Sequence, residues 1–220
     1  MPIMKKIDKS FFKTWTSDMA YILGFMFADG NIIRNKRGAH FFAIYTSDKN
    51  LLVKMRKCMG SNHKISERPG IIRVGYSIQI GSKEMFEDLG RLGLTPNKSK
   101  RMKLPFIPDE YAGHFIRGYF DGDGNVWTGL FNKKRKNPRK NILASFTSVS
   151  VDFLNSLYIL LGQLDIKGGS IYIPKIRNFG RLTYSSKDAL KLYEIMYNEP
   201  HRLFLQRKKS VFERFSKMRS

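Results

Sequence analysis

Two nine-residue stretches constrain this chain more than anything else in it. Residues 22–30 read ILGFMFADG and residues 116–124 read IRGYFDGDG. Each is an apolar helical run with glycine at its third position and Asp-Gly at its end. In a helix, positions four apart share a face, so Gly24 with Ala28, and Gly118 with Gly122, give each run a narrow seam of small residues. Two such seams pack backbone against backbone, as small-xxx-small helix pairs do. Packed that way, Asp29 and Asp123 emerge side by side at the same end. An acid at the C-terminal end of a helix opposes the macrodipole at a cost of roughly 0.3–1 kcal/mol, a cost that reverses if a cation sits there.

The rest of the chain arranges itself around these two helices. Ser17 or Asp18 caps the first, which runs through Phe27 or Ala28 and ends at Gly30. Strands at 31–34 and 41–45 flank a turn at 35–38, and Leu51, Leu52, Met55 and Met59 stripe the next helix. A second hairpin turns at Pro69-Gly70. In its return strand Ile72, Val74, Tyr76, Ile78 and Ile80 alternate with Arg73, Gly75, Ser77 and Gln79, one face apolar and the other polar. Met85, Phe86, Leu89 and Leu92 mark a third helix, and the order αββαββα is complete.

Residues 94–108, rich in proline and basic residues, read as a linker between a first half at 1–104 and a second at 105–220. The same order then resumes, with helix 111–120, hairpin 126–146, helix 151–161, strands near Ile171 and Leu182, and helix 189–197. Local matches support a duplication: Asp29 with Asp123, Thr46-Ser47 with Thr147-Ser148, Ser82-Lys83 with Ser186-Lys187, and Lys98-Ser99 with Lys209-Ser210. The expected class is α+β, two pseudo-symmetric αββαββα halves packed through the repeated helices.

Charge narrows the partner. Lys plus Arg number 40 against 18 Asp plus Glu, a formal +22, and the basic residues recur along the whole length. A polyanion follows, nucleic acid before membrane, because no long helix joins a basic face to an aromatic one. At 220 residues and 42% hydrophobic, the chain buries a sizeable core. Its single cysteine, Cys58, excludes an intramolecular disulfide and reads as core; with four histidines it gives no structural zinc cluster. The start, MPIMKKIDKS, lacks a signal-peptide run, and no segment reaches the ~20 apolar residues of a membrane span. The expected place is intracellular, a bacterial cytoplasm or organelle matrix, rather than secreted.

Two neighbouring carboxylates on so basic a protein suit a hard divalent cation, which takes oxygen ligands and shares them with a phosphate. Paired metals activate water and stabilise the leaving oxygen of an in-line phosphodiester cleavage. The DGDGN run from Asp121 is no calcium loop, since Val126 stands where that loop needs glycine and Asn132 where it needs glutamate.

The two stretches resemble the LAGLIDADG motifs of homing endonucleases, in the single-chain form that carries two copies. The second copy keeps Gly118, Asp121, Asp123 and Gly124; the first keeps Gly24, Ala28, Asp29 and Gly30 but has Phe27 at the first Asp of the pattern. The resemblance implies that Asp29 and Asp123 bind metal, supported by the backbone carbonyls of Ala28 and Gly122. Mg2+ is the implied cofactor, with Mn2+ as a substitute and Ca2+ binding without efficient cleavage. It also implies a basic catalytic residue after the last helix of each half, Lys98 and Lys209, with Lys100 and Lys208 as rivals, and solvent-holding residues near Ser47 and Ser148.

The antiparallel sheets of this family form a DNA-binding saddle over the major groove, which assigns Asn35, Arg37, Arg73, Ser77 and Gln79 to DNA from the first half. Asn141, Ser145 and Thr147 do the same from the second. Lys133, Lys134, Arg135, Lys136, Arg139 and Lys140 at a hairpin tip, with Lys175, Arg177 and Arg181, are assigned to phosphates. The implied protein is a monomeric, intron-encoded, magnesium-dependent hydrolase that cuts both strands of a long pseudo-palindromic DNA target. The alternative is an intron RNA maturase or a non-cleaving DNA-binding regulator on the same scaffold. Termini of MPIM and KMRS, without splicing-type residues, read against an intein. The asymmetry of Phe27 against Asp121 is expected to touch the outer packing of the helices rather than cleavage.

Overall fold

The computed structural model describes residues 5–70, 73–98, 101–131, 136, 139–175 and 178–218, apart from the side chains of Phe131 and Arg139. The first half runs α1 (Ser17–Asp29), β1 (Gly30–Arg34), β2 (His40–Thr46), α2 (Lys49–Cys58), β3 (Ile65–Arg68), β4 (Gly75–Gly81) and α3 (Lys83–Arg91). The second runs α4 (Asp109–Asp123), β5 (Gly124–Phe131), β6 (Arg139–Ser148), α5 (Val151–Gln163), β7 (Ser170–Tyr172), β8 (Gly180–Ser185) and α6 (Ser186–Tyr197). A further helix, α7 (Gln206–Lys217), follows it. The sequence reading stops at α6. Nothing announces α7: Leu205 stands at its N-cap, where no side chain caps it.

Each half folds its strands into one antiparallel sheet of four, in the orders β1-β2-β4-β3 and β5-β6-β8-β7. This is the expected repeated α+β architecture. The alternation of side chains puts Ile32, Phe42, Ile44, Ile78 and Ile80 on the inner face of the first sheet, all buried. Ile142, Ala144, Phe146, Leu182 and Tyr184 do the same in the second. The opposite faces carry Asn31, Phe41, Tyr45, Ser66, Arg68, Ser77 and Gln79 in one sheet, and Asn125, Trp127, Asn141, Ser145, Thr147, Arg181 and Tyr172 in the other. Strand β4 starts later than the alternation suggests; Arg73 and Val74 precede it as exposed chain, and Ile72 lies outside the described residues.

The helices α1 and α4 pack on each other at the centre. A methyl group at Gly24 would run into the carbonyl oxygen of Phe115 and lie 3.0 Å from the Tyr119 nitrogen; one at Gly118 would run into the Tyr21 carbonyl and lie 2.9 Å from the Phe25 nitrogen. Only hydrogen fits at either place, so the backbones meet as the small-residue seams require. Residues 19–27 of α1 are all buried, and α4 is enclosed from Phe115 to Asp121. The N-cap of α1 is Thr16 rather than Ser17 or Asp18; its hydroxyl accepts from the Met19 N–H at 3.1 Å.

Residues 92–98 and 101–108 do not hang free between the halves. Leu94, Met102 and Ile107 are buried, and the Met102 carbonyl accepts from the Ser150 hydroxyl at 2.7 Å, which ties the connection to the N-cap of α5. Cys58 is half-buried against the core, and burial pushes its thiol up to about 11.

Candidate active site

Both motif helices stop at Asp-Gly for a reason of space. At Gly30 the chain turns from helix to extended backbone (φ −102°, ψ 164°) with no intervening loop, and a Cβ there would lie 2.6 Å from the Met26 Cα. Gly124 repeats this against Phe120, whose ring carbon Cγ would stand 2.7 Å away. Strands β1 and β5 therefore leave directly from the helix ends, and Asp29 and Asp123 are held at the junctions, half-buried.

The abutting seams bring the two acids together. A Cβ on Gly122 would lie 3.4 Å from Asp29 Oδ2. Burial, and then the charge of Asp123, push the Asp29 carboxyl up to about 6, against the pull of Lys208 and Lys98. Burial also raises Asp123, against Lys98 and Lys208. Two partly desolvated carboxylates held this close attract a cation, because each alone is unfavourably charged.

A lysine reaches each helix end. Lys98 is 7% exposed and its Nζ donates to the Ala28 carbonyl at 3.0 Å. It is delivered by Asn97, whose φ of 56° is in the left-handed region that asparagine tolerates better than most residues. Lys208, 5% exposed, donates to the carbonyls of Phe120 at 2.5 Å, Gly124 at 2.6 Å and Asp121 at 2.8 Å, with Gly122 at 3.4 Å. Each ammonium thus sits on carbonyls at the negative end of a helix dipole. Burial lowers both lysines, Lys208 to about 8, while the nearby carboxylates pull the other way.

The structure seats Lys208 here, where sequence matching pointed to Lys209. The cause is helix phase: adjacent residues of α7 point about 100° apart. Lys209 turns instead to Glu213, 3.7 Å away, and to the Phe204 ring, 4.9 Å from its centroid. Ser99 and Lys100 lie outside the described residues.

A cavity of about 310 Å³ opens beside the acids, lined by Phe27, Ala28, Lys98, Met102, Asp123, Thr147, Ser148, Val149 and Phe179. Ser148 is in it, while its first-half match Ser47 is exposed. Among the described residues no group of three or more His, Cys, Asp or Glu side chains gathers anywhere. A cation at this site would therefore draw on the two carboxylates and on free lone pairs of the Ala28 and Gly122 carbonyls. That all-oxygen donor set fits a hard divalent ion, which completes its shell with water or phosphate.

The residues expected to meet nucleic acid divide by depth. Gln79, Arg37, Arg73, Lys136, Lys140, Lys175 and Arg181 are exposed. Ser77 and Ser145 lie on the open faces but are only 5% and 7% exposed, in the two middle strands of each sheet, where neighbours shade a short side chain. Asn35 spends its Oδ1 on the Arg37 and Ala39 N–H groups at 3.0 and 2.9 Å, so it holds the hairpin turn. Asn141 accepts from the Ile142 N–H and the Ser186 hydroxyl, both at 2.8 Å. Thr147 is half-buried, and its carbonyl accepts from the Tyr119 hydroxyl at 2.8 Å. Lys133, Lys134, Arg135 and Arg177, with the side chain of Arg139, lie outside the described residues. The open faces also carry aromatic residues that the sequence reading passed over: Trp127 and Tyr172, 50% and 66% exposed, and Tyr45 under the Arg68 guanidinium.

Residues 110–197 match the family described as LAGLIDADG-like domain. The whole arrangement also superposes on the meganuclease I-SmaMI bound to uncleavable DNA, with a TM-score of 0.63 over 93% of this chain and 89% of that one, at 14% identity. The second half holds a LAGLIDADG-like domain. The two-motif fold of the chain is likewise that of the homing endonuclease I-DmoI, with a TM-score of 0.58, 15% identity, and coverage of 84% of this chain and 97% of that one. In sequence, the chain is 29% identical over 153 residues to the DNA-directed RNA polymerase subunit Rpo1C of Methanocaldococcus jannaschii. That stretch is 68% of the chain but 16% of the subunit, so the chain spans a small part of this curated relative's length. No helix among the described residues is long and apolar enough to cross a membrane.

Proposed function

We propose that the chain is a LAGLIDADG protein throughout and a site-specific DNA endonuclease that hydrolyses both strands of a duplex at one shared acidic centre. The observation that carries the reading is the pairing of Asp29 with Asp123 at abutting helix ends, each partly desolvated and flanked by the buried ammonium groups of Lys98 and Lys208. The fold's solved relatives agree in kind: I-SmaMI is described bound to an uncleaved DNA target in the presence of calcium ions.

In this reading Asp29 and Asp123, with the Ala28 and Gly122 carbonyls, hold divalent metal, Mg2+ in the working enzyme. The metal, when bound, supplies charge for the scissile phosphate and an activated water. The chain's own part is placement. Lys98 and Lys208 stand at the C-terminal ends of α1 and α4 respectively, one for each strand of a duplex lying across the pseudo-twofold axis, and their N–H groups stabilise charge on a phosphate there. The open faces of the two sheets, split between halves at about residue 104, form the saddle. Gln79 and the exposed aromatic side chains meet base edges, and the exposed lysines and arginines meet phosphates. A groove of about 680 Å³ lined by Lys5, Lys9, Lys64 and Gln79 extends the basic surface at the end of the first sheet. The protein acts as a monomer, because one chain supplies both halves of the site.

The test begins with selection of a bound duplex from a randomised library. A supercoiled plasmid carrying the selected sequence is then incubated with the protein and Mg2+, Mn2+ or Ca2+. Linear product with Mg2+ and Mn2+, and retained binding without cutting in Ca2+, support the reading. Tight binding with no cleavage in any of the three leaves a DNA-binding regulator instead.

A further inference from the structure

Arg117 and Asp121 stand one helical turn apart on α4, and each is only 1% exposed. Polar groups at that depth persist when their hydrogen bonds are met. Arg117 donates from Nε to the Leu203 carbonyl at 3.0 Å and from Nη1 to the Met196 carbonyl at 2.9 Å, and its Nη2 is 3.2 Å from His114 Nδ1. Its guanidinium also lies over the Tyr21 ring, 5.2 Å from the centroid. Asp121 accepts from the Tyr21 hydroxyl at 2.7 Å, the Tyr197 hydroxyl at 3.1 Å and the Leu205 N–H at 2.8 Å. Between them the two side chains pin both ends of residues 196–205, the connection from α6 into α7.

The pinned segment leads straight to the site. Leu205 is the residue before α7, and its carbonyl accepts from the Lys208 N–H at 3.0 Å. One turn of helix then carries the Lys208 ammonium back to the Asp121 carbonyl at 2.8 Å. Asp121 thus holds α7 twice, with its carboxylate at the helix start and with its carbonyl at the lysine. Among the described residues of the first half nothing matches it: Leu23 and Phe27 occupy the motif positions of Arg117 and Asp121, and Phe27 packs on Phe115 and Phe153. The expectation that Phe27 against Asp121 concerns outer packing fails here, since Asp121 is at the interior of the second half.

We infer that Tyr21, Arg117, Asp121 and Tyr197 are positioning residues for Lys208, a buried polar clamp that sets one half of the site and leaves the Lys98 half untouched. Hydrogen bonds are directional, so the clamp fixes where α7 starts in a way that an apolar contact, free to slide, does not. The inference rests on the nuclease reading, and it adds that the two lysines beside the shared acids are positioned by different means and that the loss of either is confined to one strand.

The experiment follows each strand of the selected target in a plasmid, one end-label per strand, for wild type, Asp121→Leu, Asp121→Asn, Tyr197→Phe, Lys208→Met and Lys98→Met. Asp121→Leu is expected to slow one strand on the order of 100-fold and the other less than about threefold, because a catalytic group displaced by about 1 Å carries a cost of that order. Nicked circle then accumulates, and the slowed strand is the one that Lys208→Met also slows and that Lys98→Met leaves least affected. Asp121→Asn, which keeps an acceptor for Leu205, restores most of the rate, and Tyr197→Phe gives a milder defect on the same strand. Circular dichroism and duplex binding report folding, and Tyr197→Phe, one oxygen smaller, keeps the test open if Asp121→Leu does not fold. Equal slowing of both strands, or slowing of the strand that depends on Lys98, overturns the clamp. A wild type that cuts neither strand overturns the nuclease reading, and the clamp's catalytic role with it.

Discussion

Replacing Asp29 by asparagine removes one of the two facing charges while keeping the side chain's shape, and it should make the metal-free protein more stable. Burial, then the Asp123 charge, raise the Asp29 carboxyl from 3.8 to about 6. At pH 7 the ionised carboxylate is therefore better accommodated in the unfolded chain than in the folded one. The difference corresponds to about 3 kcal/mol, and contact with water at a half-buried group reduces it to roughly 1–3 kcal/mol. For a chain of this size that is roughly 3–8 °C in Tm. The direction with pH follows from the same values. The folded chain holds the Asp29 proton more tightly, so the stabilisation from protonation is fully present below 3.8 and is lost as pH rises through about 6. The assay is thermal unfolding of wild type and Asp29→Asn in EDTA across this range. The variant should melt higher at neutral pH, and the gap should close as the pH falls towards 4. A variant that melts lower than wild type at neutral pH, or a gap that ignores pH, would refute the idea that the site holds uncompensated charge.

Gly118→Ala should cost about 3 kcal/mol, because the new methyl meets the α1 backbone at Tyr21 and Phe25 rather than a side chain that can move. Gly162→Ala, in α5 with open space around it, should instead stabilise by about 0.5–1 kcal/mol; urea unfolding of the pair checks both. Lys208→Met should destabilise by about 1–3 kcal/mol by leaving buried carbonyls at the α4 end unpaired. Lys209→Ala, which removes a pair with Glu213 at the surface, should stay within about 0.5 kcal/mol and leave cleavage intact. If about eight phosphates are neutralised across the two faces, affinity for the target should fall with a log-log salt slope near −7, read from fluorescence anisotropy; a flat response would remove DNA from the saddle.

Most of the architecture is legible in the sequence, because periodicity and turn chemistry are local. The seam glycines, the Asp-Gly stops and the alternation in β4 each act within a few residues of where they are read. What escaped depends on distance along the chain or on depth. Lys208 and Lys209 are neighbours in a basic run, and only the phase of α7, set at Leu205 by Asp121, decides between them. That helix has no capping side chain to mark its start. Ser77 and Ser145 fall on the faces opposite the core, since a period of two fixes the face, but alternation says nothing of how deep a central strand sits. Asp121 is an acid in an apolar run, and the partners that hold it inside, Tyr197 and Leu205, lie far along the chain.

The claim that everything else serves is that Asp29 and Asp123 make one shared centre rather than two independent ones. It is tested most directly by strand-resolved cleavage of the selected target with Mg2+ by Asp29→Asn and by Asp123→Asn. A shared centre predicts that either single substitution stops cutting of both strands while duplex binding persists. Loss of one strand by Asp29→Asn and of the other by Asp123→Asn, or continued double-strand cutting by both, would contradict it.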